Sequence, residues 1–283
     1  MPKLVKISTH LIALTKTYNL PSLGHDNKYI SVLMIIIILL HIPAWVGTVI
    51  VLSQIRMSVM LFNLKLSNSI YLWTTILITV FGYVILMLSM ITLAIYYTTV
   101  CYHLRLAIVN ITKFLHKQNS DYNILFRRYI TIRKLATLIE DELSFSVFLS
   151  SVCNACGMYS GLTAVLYTDE YLNEINILTM GTIFVANATS YISLTLSASM
   201  VPEATKDLWF KLQEDFSSGS NITNVQQRTL ALLEKGLHFT VWKMIPIKRS
   251  LILATMGTVF TYNLLLDSLR LKENLTPMWH SSN

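Results

Sequence analysis

Five long stretches of this chain carry almost no charge: residues 29–53, 70–97, 143–166, 177–200 and 245–266. An apolar run of about 18 residues or more reaches across a hydrocarbon core as a helix, so the runs predict five membrane spans. Residues 32–40 are almost wholly Ile, Leu and Met. The third run is diluted by Ser144, Ser146, Ser150, Ser151, Asn154, Ser160 and Gly161. Small polar residues of that kind suit a span buried among other spans, where they let helices approach closely.

Composition agrees. Charged residues make up 13% of the chain and mean hydropathy is +0.54, against about 25% charged in an ordinary soluble domain. A disordered chain, a secreted disulfide scaffold and a coiled coil are excluded. The net charge of +7 raises the question of nucleic acid, and the position of the charges answers it. Of 22 Lys and Arg, 16 fall in residues 1–28, 98–142 and 201–244, while residues 54–69, 167–176 and 267–283 hold only Arg56, Lys65, Arg270 and Lys272. Lysine and arginine are retained on the cytoplasmic side. The pattern predicts a cytoplasmic N-terminus, five spans, an extracellular C-terminus and a lipid bilayer rather than nucleic acid as partner.

The expected organisation is a cytoplasmic segment over 1–28 and a four-span bundle over 29–200 with a helical extension at 98–142. A cytoplasmic region at 201–244, a final span at 245–269 and an extracellular tail at 270–283 complete it. No cleavable signal peptide is visible in the first 28 residues, and span one serves as the signal anchor. Leu4, Ile7, Leu11 and Leu14 give residues 4–20 an amphipathic pattern, read as an interfacial helix. Leu104, Ile108, Ile111 and Leu115 form a stripe at helical spacing, as do Leu125, Ile132, Leu135 and Ile139, and Leu230, Leu233, Leu237 and Val241. These helices extend the spans into the cytosol, as juxtamembrane helices or as a subunit interface. Turns are expected at 118–121 and 217–221. Pro246 breaks the last helix into a cytoplasmic piece through Trp242 and a membrane piece from about Ser250.

Chemistry-bearing motifs are few. Cys153 and Cys156 form a C-x-x-C within an apolar span, read as packing residues, and Cys101 is a weak palmitoylation candidate. His41, two positions before Pro43, is the sole ionisable residue well inside a span and is expected to satisfy a backbone carbonyl freed by the proline. No metal, cofactor or enzyme motif is present in the sequence, and an enzyme is disfavoured. Of the Asn-x-Ser/Thr sites, only Asn274 falls outside in this topology.

The last span ends Gly257-Thr258-Val259-Phe260-Thr261-Tyr262-Asn263-Leu264-Leu265-Leu266-Asp267-Ser268-Leu269. This resembles the last-helix signature of the arthropod gustatory receptors: Thr-Tyr, five mostly apolar residues, then Gln-Phe. Thr261 and Tyr262 match; Asn263 and Asp267 depart from the apolar five, and Ser268 and Leu269 stand in place of Gln-Phe. With the predicted order of inner helices and spans, the chain is similar to the last five spans of the seven-span insect chemoreceptor fold, an all-α polytopic helix bundle with cytoplasmic anchor helices. The resemblance implies a tetrameric cation channel, homo- or hetero-oligomeric, gated by a small-molecule tastant, without cofactor.

The same resemblance places the gate at Ser268 and Leu269, with Leu265 one turn inward as a hydrophobic constriction and Asp267 near the outer mouth. It also implies a ligand pocket in the outer half of the bundle. The residues there are Trp45 and Thr48; Tyr71, Trp73 and Thr75; Tyr159 and Thr163; Phe184 and Asn187. Aromatic residues with a few polar groups suit a small-molecule site, although Trp and Tyr also anchor spans at the interface. The polar run 187–199 reads as helix-packing surface. Rival readings are a transporter fragment, which predicts internal repeats and ionisable groups at mid-membrane, and a non-conducting scaffold or accessory subunit. A G-protein-coupled receptor lacking spans is contradicted by the charge count.

Overall fold

A computed structural model describes residues 2–17, 28–54, 69–115, 122–166, 174–217 and 223–280. In chain order the elements are helices α1 (Pro2–Thr17), α2 (Lys28–Gln54), α3 (Ser69–Leu115), α4 (Tyr122–Leu166), α5 (Glu174–Ser217) and α6 (Asn224–Glu234). Strands β1 (Thr240–Val241) and β2 (Ile245–Pro246) follow, then α7 (Arg249–His280). The architecture is the expected helical one: the apolar runs 29–53, 70–97, 143–166 and 177–200 each lie within a helix, and the fifth is helical from Arg249 rather than from Ile245. At 47, 45 and 44 residues, α3, α4 and α5 run to about 65–70 Å at 1.5 Å per residue. That is twice the thickness of a hydrocarbon core, so each of the three continues well beyond its apolar run as one unbroken helix. Of the turns expected at 118–121 and 217–221 only Ser217 is described, as the last residue of α5; the rest of both, with residues 55–68 and 167–173, lies outside the described residues.

The chain divides into two compact units. The first comprises Met1–Leu33, Leu93–Ser150 and Ser193–Arg249. Its core is built from the three predicted stripes: Leu104, Ile108, Ile111, Leu125, Ile132, Leu135, Ile139, Leu233, Leu237 and Val241 are all buried. Each of these side chains contributes about 1.5–3 kcal/mol by leaving water. All three stripes are buried within this one unit of a single chain. Ile7 of α1 is fully buried here too, and Ser8 hydrogen-bonds Tyr96 on α3, so α1 is docked on the unit. Val5 and Ile12, at 63% and 60% exposure, remain outside.

The chain from α6 to α7 departs from expectation. A capping box starts α6: Gln226 N–H donates to the Thr223 hydroxyl and Thr223 N–H to the Gln226 side chain. The helix ends at Glu234, not at Trp242, because Gly236 takes φ +60° and its N–H turns back to Leu233 O at 2.8 Å. Leu237 and Val241 are therefore buried from extended chain and hairpin. Thr240 pairs with Pro246 and Val241 with Ile245, around a turn in which Trp242 and Lys243 both adopt left-handed φ, 52° and 57°. Pro246 thus ends the hairpin rather than kinking a helix.

Side-chain clamps on α4 hold that strained turn. Glu140 accepts from both the N–H and the hydroxyl of Thr240, and Trp242 N–H donates to Ser144 O at 3.2 Å. Trp242 packs on Phe145 and Phe148. Asp141 pairs with Lys243 at 2.7 Å and raises its ammonium above the usual lysine range.

The second unit comprises Met34–Thr92, Ser151–Ile192 and Ser250–Asn283. Its helices meet through glycines. A Cβ on Gly161 of α4 would lie 2.8 Å from Met180 O and 2.9 Å from Phe184 N on α5; one on Gly157 would lie 2.6 Å from the Asn187 amide; one on Gly47 of α2 would overlap Thr179. Gly157 and Gly161 form the small-x-x-x-small spacing that lets membrane helices touch backbone to backbone. Ala44 of α2 packs with Ile183 and Ala186 of α5. His41 does bond a carbonyl, but its Nδ1 donates to Ile37 O at 2.7 Å rather than to the Leu39 carbonyl that Pro43 leaves without an N–H.

Candidate functional site

The final helix has two unlike faces, and the inner one organises a site in the second unit. Val259 and Asn263, four residues apart and so on one face, are 6% and 0% exposed. Val259 joins Met158, Ala188 and Tyr191 in a buried cluster against which Tyr159, Leu162, Phe184 and Met256 pack. Phe184 of α5 meets Phe260 of α7 edge-on, 6.4 Å between ring centroids.

Polar groups join the helices at two levels. The Tyr191 hydroxyl lies 2.7 Å from the Thr255 hydroxyl and 3.4 Å from Leu251 O. Eight residues further along α7, Thr163 on α4 donates to Asn263 Oδ1 at 2.6 Å. The same Thr163 hydroxyl lies 2.8 Å from Tyr159 O on its own helix, so its single proton has two acceptors. Asn263 Nδ2 donates to Val259 O at 2.8 Å. Burying an unpaired amide in an apolar medium costs several kcal/mol, which is why the one amide in this apolar run points inward while Leu264 and Leu265 are 65% and 52% exposed.

Of the residues singled out for a ligand, Tyr159, Thr163 and Phe184 are brought together where α4, α5 and α7 meet. Asn187 sits apart from the polar bridges: its amide covers Gly157 and donates to Ile183 O at 2.8 Å. The side chains of Trp45, Thr48, Tyr71, Trp73 and Thr75 lie outside what is described. In the run 187–199, Ser190, Ser193, Thr195 and Ser199 are buried, as packing surface is. Tyr191, Thr255 and Met256 were not singled out from the sequence. Asn263 was noted only as a departure from a motif; its signal was an amide amid leucines.

On the outer face, a 100° step per residue puts Gly257, Thr261, Leu264 and Ser268 within about 40° of the direction opposite Val259. All four are exposed, as are Tyr262 and Leu265. Ser268 Oγ donates to Leu265 O at 2.7 Å. The side chains of Asp267 and Leu269 are outside the described set. Among the described residues no cluster of His, Cys, Asp and Glu fits a metal ion.

No family model matches the sequence, and no curated protein matches it. Solved structures do. The insect olfactory receptor OR5 from Machilis hrabei in complex with eugenol superposes on 93% of this chain and 70% of its own, with a TM-score of 0.66 and 10% identity. OR5 solved without that ligand gives 92%, 69%, 0.61 and 14%. This chain has the insect chemoreceptor fold. The likeness covers nearly all the described helices, as the end of the last span led one to expect, and its neighbours are olfactory receptors, not enzymes. Of Thr261 and Tyr262, which carry the resemblance, the first lies on the outward face of α7 and the second is exposed on the flank of its docked side.

Proposed function

We propose that the chain is a subunit of a gustatory-receptor-type chemosensory channel in the plasma membrane. It assembles as a tetramer with itself or related subunits and conducts cations when a small tastant binds. The N-terminus is cytoplasmic and the C-terminus extracellular, by the distribution of Lys and Arg. The carrying observation is the two-faced final helix. One side is docked through Val259 and Asn263; the other leaves Gly257, Thr261, Leu264 and Ser268 bare. Lipid alone favours an all-apolar surface, whereas exposed hydroxyls and a glycine on one stripe suit a water-filled lumen or close helix contact. Leu265, Ser268 and Leu269 form the gate, a ring of leucine closing the path by dewetting. Tyr159, Thr163 and Phe184 line the ligand side, with Trp45, Trp73 and Asn187 contributing from the surrounding spans.

Whole-cell recording from cells displaying the chain tests this, with eugenol, sugars and bitter compounds as probes. A ligand-evoked or standing cation current that changes in Leu265→Ala and Leu269→Ala is the expected result. Silence of all three proteins at equal surface expression refutes a conducting subunit and leaves an accessory one.

A further inference from the structure

We infer that the β1–β2 hairpin is a phospholipid-binding wedge: its tip, Trp242 to Ile245, enters the inner headgroup layer of the bilayer, and Lys248 contacts a lipid phosphate. This rests on the reading of Leu143 on α4 and Arg249 on α7 as the inner ends of their spans. The hairpin belongs to the first unit and is fastened to α4 at that depth. Glu140 and Asp141 hold it on one side of Leu143, Ser144, Phe145 and Phe148 on the other.

The turn is strained, and what it gains is display. Met244 N–H donates to Val241 O at 3.1 Å, with φ of 52° and 57° at the two residues between. That is the mirror-image turn which Asn-Gly makes readily, and Trp and Lys fit it badly because their Cβ atoms crowd the backbone at positive φ. Such strain gathers where function holds it. Trp242, Met244 and Ile245 stand 49%, 73% and 51% exposed. Phe145 and Leu149, four residues apart and so on one face of α4, are 54% and 50% exposed. The Trp242 ring lies 5.8 Å from that of Phe145 and 5.0 Å from that of Phe148. The exposed face at the start of the α4 apolar run therefore continues onto the hairpin, with an indole at the boundary, where tryptophan anchors membrane proteins.

The charges around the tip select the partner. From Lys235 to Leu266 the sequence holds no Asp or Glu. The acids brought by neighbouring helices are engaged: Glu140 accepts from Thr240, Asp141 pairs with Lys243 and Glu203 with Arg249, and Glu142 is engaged as well. Lys248 is exposed and has no ion pair among the described residues. One unmatched ammonium beside three apolar side chains suits a phosphodiester above an acyl chain, whereas an apolar protein surface would leave the ammonium without a counter-charge.

The experiment uses the full chain in nanodiscs of phosphatidylcholine, alone or with an equal part of phosphatidylglycerol. Lipid brominated near the glycerol end of its chains is expected to quench part of the tryptophan fluorescence, and Trp242→Phe, which keeps a ring on Phe145, to lose that part. Hydrogen exchange over 241–247 is expected to slow with phosphatidylglycerol by up to about five-fold, the worth of one cation at an anionic surface. Lys248→Gln should abolish the slowing and Lys248→Arg keep it. Quenching of Trp242 by aqueous iodide instead of lipid overturns the wedge; quenching by neither, which means a protein surface such as a second copy covers the tip, overturns it too. Exchange indifferent to phosphatidylglycerol overturns Lys248 as the phosphate contact. Nanodiscs expose both leaflets and no current is read, so a reversed orientation or a silent channel leaves these results standing. A C-terminal epitope stained on intact cells tests the orientation separately.

Discussion

Replacing Gly161 by alanine adds one methyl group where α4 lies directly against the backbone of α5. The new Cβ would lie 2.8 Å from Met180 O, 2.9 Å from Phe184 N and 2.9 Å from Phe184 Cβ. Two of these atoms are α5 backbone and cannot rotate aside. Ordinary contact needs separations of about 3.4 Å or more, so α5 must move off α4 by about half an ångström. Overpacking of this kind costs about 1–3 kcal/mol, and alanine returns up to about 1 kcal/mol through helix propensity. The net expectation is a loss of about 1–2 kcal/mol. Gly82 has nothing within 4 Å of its Cβ position, so Gly82→Ala keeps the propensity gain without the clash. Equilibrium unfolding in mixed detergent, followed by circular dichroism, should order the proteins Gly82→Ala, wild type, Gly161→Ala. Equal midpoints for Gly161→Ala and wild type would refute the claim that α4 and α5 meet backbone to backbone.

Other expectations concern the first unit. Lys243 holds a left-handed φ with an exposed ion pair, and left-handed backbone costs a non-glycine residue about 1–2 kcal/mol; Lys243→Gly should raise the unfolding midpoint despite losing Asp141. Glu140→Gln weakens the acceptor for Thr240 and should cost about 1–3 kcal/mol, read as faster proteolysis of the 236–248 segment. His103 is 1% exposed with no hydrogen-bond partner for either ring nitrogen among the described residues. His103→Leu removes that desolvated donor and should stabilise by about 1 kcal/mol; a lower midpoint would show that the ring is satisfied.

Hydrophobic periodicity made the spans and the three inner stripes legible, since residues such as Ile108, Ile132 and Leu233 face inward for the reason their spacing suggests. Pro246 marked the right neighbourhood but the wrong mechanism. The break comes earlier, at Gly236, and the hairpin is invisible in sequence because Trp242 and Lys243 carry no turn signature. Their conformation is imposed by Glu140 and Ser144, about a hundred residues away. In the site, aromatic residues on α4 and α5 were legible as a group. The partnership of Thr163 with Asn263 was not, because residues a hundred positions apart are paired only by the packing of their helices.

The burial of Asn187, Ser190, Ser193, Thr195 and Ser199 along α5 has a consequence for biosynthesis. A nascent chain meets the bilayer one hydrophobic segment at a time, and this segment offers lipid a polar stripe that is covered only by the rest of the fold, at Asn187 by Gly157 of α4. Partitioning of α5 from the translocon should therefore depend on α4 having waited there. A synthetic α5 presented alone would insert poorly, whereas the α4–α5 pair, delivered in the order the ribosome makes them, carries its own solvent for those hydroxyls.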